Sequence, residues 1–169
     1  MRAYQVFAAM SPEQASRVLQ ALRENSPPMY TQALAAASVA LKARPQFVLK
    51  QPPAKRAILA RRALARVAAS ELAEEVLAHY FLEVRKELLV EWLDALGLEH
   101  EDGVLKEATP KAPAEEKLRQ AVQAFLAGEK PDESGDRALL LRAFAAQGAV
   151  EWPTLEALLP PPHGGSQGR

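Results

Sequence analysis

The chain reads as a series of apolar stripes at helical spacing, punctuated by proline and glycine. Ser11-Pro12-Glu13-Gln14 has the form of a helix start, with a capping serine, proline at the first helical position and glutamine three residues beyond the cap. Val18, Leu19 and Leu22 then form a stripe that ends near Asn25. Ser26-Pro27-Pro28 breaks the chain and opens a second helix, whose apolar positions are Tyr30, Leu34, Ala37, Val39 and Leu41. Pro45 ends it and begins a short helix with Phe47 and Val48, before Gln51-Pro52-Pro53 interrupts again. From Ala54 a basic amphipathic helix carries Ile58, Leu59, Leu64 and Val67 on its apolar side, with a break or bend expected at Ser70.

The longest pattern runs from Ser70 to Gly103. Leu72, Val76, Tyr80, Val84 and Leu88 step by four residues, which at 3.6 residues per turn drifts by about 40° per step. By Leu89, Trp92, Leu93 and Leu96 the apolar face has moved round, so a helix over 70–96 presents two packing surfaces in succession, as a central helix does. Gly97 is its natural stop, and Asp102-Gly103 reads as a turn. Further helices are predicted over 115–127, 137–147 and 153–159, with no pattern of a strand. The expectation is an all-α fold, an orthogonal or up-down bundle of about six or seven helices around the long one over 70–96. In domain terms, residues 1–106 form the main helical domain and 107–114, EATPKAPA, an Ala/Pro linker. Residues 115–159 pack on the same core or form a small second lobe, and 160–169 is a disordered tail.

Composition narrows the function more than it names one. With 169 residues the chain can bury a core without staples, and the absence of cysteine excludes disulfides, thiolate zinc sites and thiol nucleophiles. No apolar run is long enough to span a bilayer, so a soluble, cytoplasmic protein with no membrane partner is expected. No phosphate loop, nucleophile elbow or HExxH motif is present, and nothing points to a catalytic set or a cofactor.

Charge changes the picture. The net charge is zero, yet Lys42, Arg44, Lys50, Lys55, Arg56, Arg61, Arg62 and Arg66 lie between Asn25 and Ser70 without a single acid. From Glu71 to Glu107, eleven acids face three bases. One reading is that the segment 42–66, above all Lys55, Arg56, Arg61, Arg62 and Arg66, meets a polyanion or nucleic acid. The other is that basic and acidic helices compensate each other or solvate separate faces; it is preferred because the basic helix lacks an interleaved aromatic for base stacking. LRAFAAQGAVEWPTLEALL superficially resembles a helix-turn-helix, but its second helix carries Glu151 and Glu156 and no base, which phosphates would repel.

Glu75, His79 and Glu83, at i, i+4 and i+8, are weak candidates for a metal or proton site, since di-metal bundles need a Glu-x-x-His spacing that is absent. Glu99-His100-Glu101-Asp102 matches no metal-loop spacing, and His163 falls in the tail. The expectation for function is therefore a non-enzymatic helical interaction or adaptor module that binds another protein. A polyanion binder through 42–66 and a helical metal site or enzyme around His79 are the alternatives.

Overall fold

The computed structural model describes residues 1–161. The expected tail lies outside the described residues from residue 162 on, as does His163. The fold is all-α, with ten α-helices among the described residues, and five of them begin with proline at their first position. Proline suits that position because the missing N–H would have had no helical partner, so the punctuation seen in the sequence sets the element starts. The chain divides into two compact units, Ala3–Val76 and Leu77–Pro160, the latter joined by Met1–Arg2.

The unit Ala3–Val76 contains α1 (Ala3–Ala9), α2 (Pro12–Asn25), α3 (Pro27–Leu41), α4 (Pro45–Leu49) and α5 (Pro53–Leu64). A 3-10 turn over Val67–Ala69 then leads into α6 (Ser70–His79), of which the residues up to Val76 belong here. Ser11 caps α2 as its sequence implies, its Oγ accepting from the Gln14 amide at 3.1 Å. The helix at the centre of this unit is the basic one. α5 packs against α1, α2, α3 and α4. It does so through Ala57, Leu59, Ala60, Ala63 and Leu64, all buried, and the alanines let neighbouring backbones approach.

The unit Leu77–Pro160 continues from the end of α6 through a π-helical segment, Tyr80–Val84, into α7 (Lys86–Leu96). A small hairpin follows, β1 (His100–Glu101) paired antiparallel with β2 (Val104–Leu105), and then α8 (Glu115–Ala127), α9 (Asp136–Ala145) and α10 (Pro153–Leu158). The helix expected over 70–96 is thus interrupted. The Arg85 amide donates to the Tyr80 carbonyl at 2.9 Å, a five-residue reach, and Arg85 itself leaves helical geometry at φ −120°, ψ 40°. One extra residue in the turn resets the phase of the drifting stripe, so that Tyr80 and Phe81 within it and Leu88, Trp92 and Leu93 after it are all buried. The hairpin was not expected either, because two residues per strand leave no alternation to read. Its turn is the one the sequence marks: Asp102 and Gly103 both take positive φ, 49° and 88°, as a tight two-residue hairpin requires.

Every residue of α9 is buried, charged ones included, and it packs on α7, α8 and α10. Around it Phe144 stacks edge-on with Trp92 and Trp152, at centroid distances of 6.1 and 5.5 Å, while Phe125 meets Trp92 at 5.3 Å. Such pairs contribute about 0.5–1.5 kcal/mol each beyond their buried area. The 107–114 segment lies inside this unit. Pro110 is buried, and its carbonyl accepts from Trp152 Nε1 at 2.9 Å.

Candidate interaction site

The structure separates the basic residues of 42–66 into two roles. Arg56 and Arg61 are half-buried and engaged within their own unit. Arg61 Nη1 donates to the Met10 carbonyl just past α1 at 2.5 Å, and Arg56 Nη1 donates to the Tyr30 hydroxyl at 3.3 Å. Arg66, exposed, reaches the Ala40 carbonyl in the last turn of α3 at 3.4 Å, a long contact. A guanidinium at a helix C-terminus satisfies orphan carbonyls and the negative end of the dipole, so Arg61 serves α1 as a cap. Lys55 and Arg62, seven residues apart on one face of α5, point outward, as do Lys42, Arg44 and Lys50. Among the described residues none of the eight bases between Asn25 and Ser70 forms an ion pair.

Large apolar side chains lie exposed among those cations. Val39 is 79% exposed, Leu41 45%, Phe47 50%, Leu49 54% and Val67 70%. Val39 and Leu41 look like core positions by spacing, but the face that α3 buries is Ala33, Leu34, Ala37 and Ser38. Val39 follows Ala37 by roughly 200° of helical rotation and so faces away. The chain then reverses at Lys42, which takes a left-handed conformation at φ 51° while the Ala43 amide closes on the Ser38 carbonyl at 3.0 Å. α4 is too short to hide more than Val48, leaving Phe47 and Leu49 outside. Residues 39–50 therefore present four apolar side chains interleaved with Lys42, Arg44 and Lys50. The sequence signal was there, a charge run beside a five-residue helix too short to be amphipathic.

The proposed metal candidates gain no geometry. α6 ends at His79, and Glu83 falls in the π-helical segment, where a wider turn takes it off the line on which i, i+4 and i+8 would align. Among the described residues no group of three or more histidine, aspartate or glutamate side chains is placed to hold an ion. The His79 Nε2 atom is buried without a hydrogen-bond partner. His100 is structural: Nε2 pairs with Asp94 Oδ1 at 2.7 Å, and Nδ1 accepts from the Gly103 amide at 3.2 Å, holding the hairpin turn.

Sequence reasoning missed a buried charge network in the unit Leu77–Pro160, on the first turn of α9. Arg137 donates to Glu133 at 2.7 and 3.3 Å, to both carboxylate oxygens of Glu91 at 2.6 and 3.0 Å, and to the Phe125 carbonyl at 3.0 Å. Its guanidinium also stacks on the Phe125 ring at 4.7 Å. The hydrogen bonds to Glu91 and Glu133 hold the Arg137 guanidinium above its ordinary value against the effect of burial. In return the Arg137 hydrogen bond holds the Glu133 carboxyl below the usual carboxylate range. Next to it, Asp136 Oδ2 accepts from Arg85 Nε at 2.7 Å and from the Tyr80 hydroxyl at 3.0 Å. Burial works against the Arg85 charge, but the Asp136 hydrogen bond and charge outweigh it and raise Arg85. At the far end of α9 burial lowers Arg142, whose Nη2 donates to the Pro160 carbonyl at 2.9 Å. The donors and acceptors of this network answer one another, which is the arrangement of a structural core rather than of an acid-base site.

No helix among the described residues is long and apolar enough to cross a membrane. No protein-family model, no curated protein and no solved structure matches the chain.

Proposed function

We propose that the chain is a cytoplasmic, non-enzymatic interaction module that binds another protein through the surface formed by residues 39–66. The observation that carries this reading is the interleaving of exposed Val39, Leu41, Phe47 and Leu49 with Lys42, Arg44 and Lys50, none of them ion-paired among the described residues. Full burial of a side chain of this size is worth about 1.5–3 kcal/mol. Scaled by their exposures, Val39, Phe47 and Leu49 together would contribute roughly 3–5 kcal/mol on being covered. The lysines and arginines speed encounter and select an acidic partner. The partner chemistry is therefore an acidic protein segment with its own leucine or phenylalanine anchors.

A nucleic acid would draw on the same cations, but phosphates gain nothing from Val39, Leu41 or Leu49, which favours protein over polyanion. The test is selection from a displayed library of random peptides. Enriched peptides should combine Asp and Glu with large apolar residues, and Phe47→Ser with Leu49→Ser should abolish their binding. If the chain instead retains a DNA duplex or heparin whether or not Phe47 and Leu49 are changed, and selects no peptide, the polyanion reading replaces this one.

A further inference from the structure

The unit Leu77–Pro160 contains a half-open cleft of about 280 Å³, and no residue of 39–66 is among those that line it. We propose that it is a binding site for a compact, uncharged apolar molecule about the size of a two-ring hydrocarbon. Its walls come from several elements of the unit: Leu77 of α6, Phe81 of the π-helical segment, Leu89 and Leu93 of α7, and Leu140 and Phe144 of α9. The hairpin supplies a further wall through Gly103, Val104 and Leu105.

Two features of this chain shape the cleft. The π-helical turn carries Phe81 and Leu82 into its lining, and such insertions within α-helices recur at functional sites. Gly103 brings the hairpin down close on two lining leucines. A Cβ there would lie 3.0 Å from Leu89 Cδ2 and 3.5 Å from Leu82 Cδ2, so the approach depends on glycine. The volume selects the size class, because an apolar cavity of about 150 Å³ already holds benzene, and this one is nearly twice as large. The lining selects the charge class. Glu107 and Gln147 are its only side chains with hydrogen-bonding groups, and no lysine or arginine lines it. An anion would be desolvated there without a counter-charge, whereas a neutral ring system meets leucine and phenylalanine throughout.

The test is a titration of the isotope-labelled full chain with 2-naphthalenemethanol and with 2-naphthoate, followed by nuclear magnetic resonance. The alcohol should shift the resonances of Phe81, Ala143, Phe144 and the hairpin, with half-saturation below about 1 mM, and the carboxylate should bind at least about tenfold more weakly. Ala143→Leu fills the cleft from α9 and should remove the response while leaving the rest of the spectrum in place. Ala78→Leu does the same from α6 should the first variant not fold. Unmoved lining resonances with the wild-type chain, or equal binding of the carboxylate, would overturn the proposal. So would lining shifts that depend on protein concentration alone, which would assign the cleft to a second copy of the chain. None of these outcomes involves residues 39–66, so success or failure here is distinguishable from that of the protein-binding reading.

Discussion

Replacing Arg137 with methionine tests the energetics of α9 most severely. Methionine keeps the length and apolar stem of the side chain but removes every hydrogen bond to Glu133, Glu91 and Phe125. Glu91 is half exposed and can rehydrate, so its loss costs little, within the ~0–1 kcal/mol of a surface pair. Glu133 cannot. It is only 5% exposed and would keep the Lys130 amide at 2.9 Å and the influence of the Lys130 charge, while losing the guanidinium that pairs with it. Breaking a buried pair in this way costs about 3–5 kcal/mol, a large share of the ~5–15 kcal/mol that holds a domain together. The cost resides in the abandoned partner, so the double variant Arg137→Met, Glu133→Leu should recover at least half of it. Both tryptophans of the chain, Trp92 and Trp152, lie in the unit that contains Arg137, so urea unfolding followed by their fluorescence reports on the right transition. A single variant that loses less than about 1 kcal/mol, or a double variant whose loss equals the sum of the two single ones, would refute the reasoning.

Other consequences follow from named contacts. Because Arg137 depresses Glu133 below its ordinary value of 4.5, the stability from that carboxylate is fully present above pH 4.5 and is lost as the pH falls through the depressed value. Urea midpoints between pH 7 and pH 3 should therefore fall on acidification, and less steeply in Glu133→Gln. Ser11→Ala removes the cap on α2 and should lower stability by about 0.5–2 kcal/mol, measured by thermal unfolding in circular dichroism. Gly103→Ala should cost more than Gly97→Ala. Both residues take positive φ, but only the Gly103 Cβ would crowd a neighbour at 3.0 Å, whereas the closest atom to a Cβ at Gly97 is Lys117 Nζ at 3.6 Å. Equal losses in paired unfolding curves would remove the close approach from the account of the hairpin.

Much of this architecture is legible in the sequence wherever a local signal suffices. Prolines at 12, 27, 45, 53 and 153 start helices, Gly97 ends one in the left-handed conformation, and Asp102-Gly103 turns the chain. The parts that escape are those decided by a single residue or by tertiary company. The π-helical insertion at Tyr80–Val84 looks, in one dimension, like ordinary drift of a four-residue stripe. The contacts inside Ala3–Val76 give the central place to α5, whose bases suggest a surface helix, because Ala57, Ala60 and Ala63 face the neighbours while Arg56 and Arg61 reach across at the margins of the contact. Asp136, Arg137 and Arg142 are buried although charge ordinarily marks a solvated face, since each finds a partner that the sequence separates from it by distances of up to dozens of residues. Val39 and Leu41 are exposed for the opposite reason: α3 is apolar on more sides than its neighbours can cover.

The surface at 39–66 carries the proposed function, and calorimetric titration tests it most directly. An acidic peptide with leucine and phenylalanine anchors, taken from the displayed library, is titrated into the wild-type chain and into the Phe47→Ser, Leu49→Ser variant. The predicted result is micromolar binding to the wild type, weakening with salt, that falls at least about tenfold in the variant, as the loss of more than 1.4 kcal/mol of apolar burial requires. Equal affinity for the two proteins, with binding governed by salt alone, would contradict it.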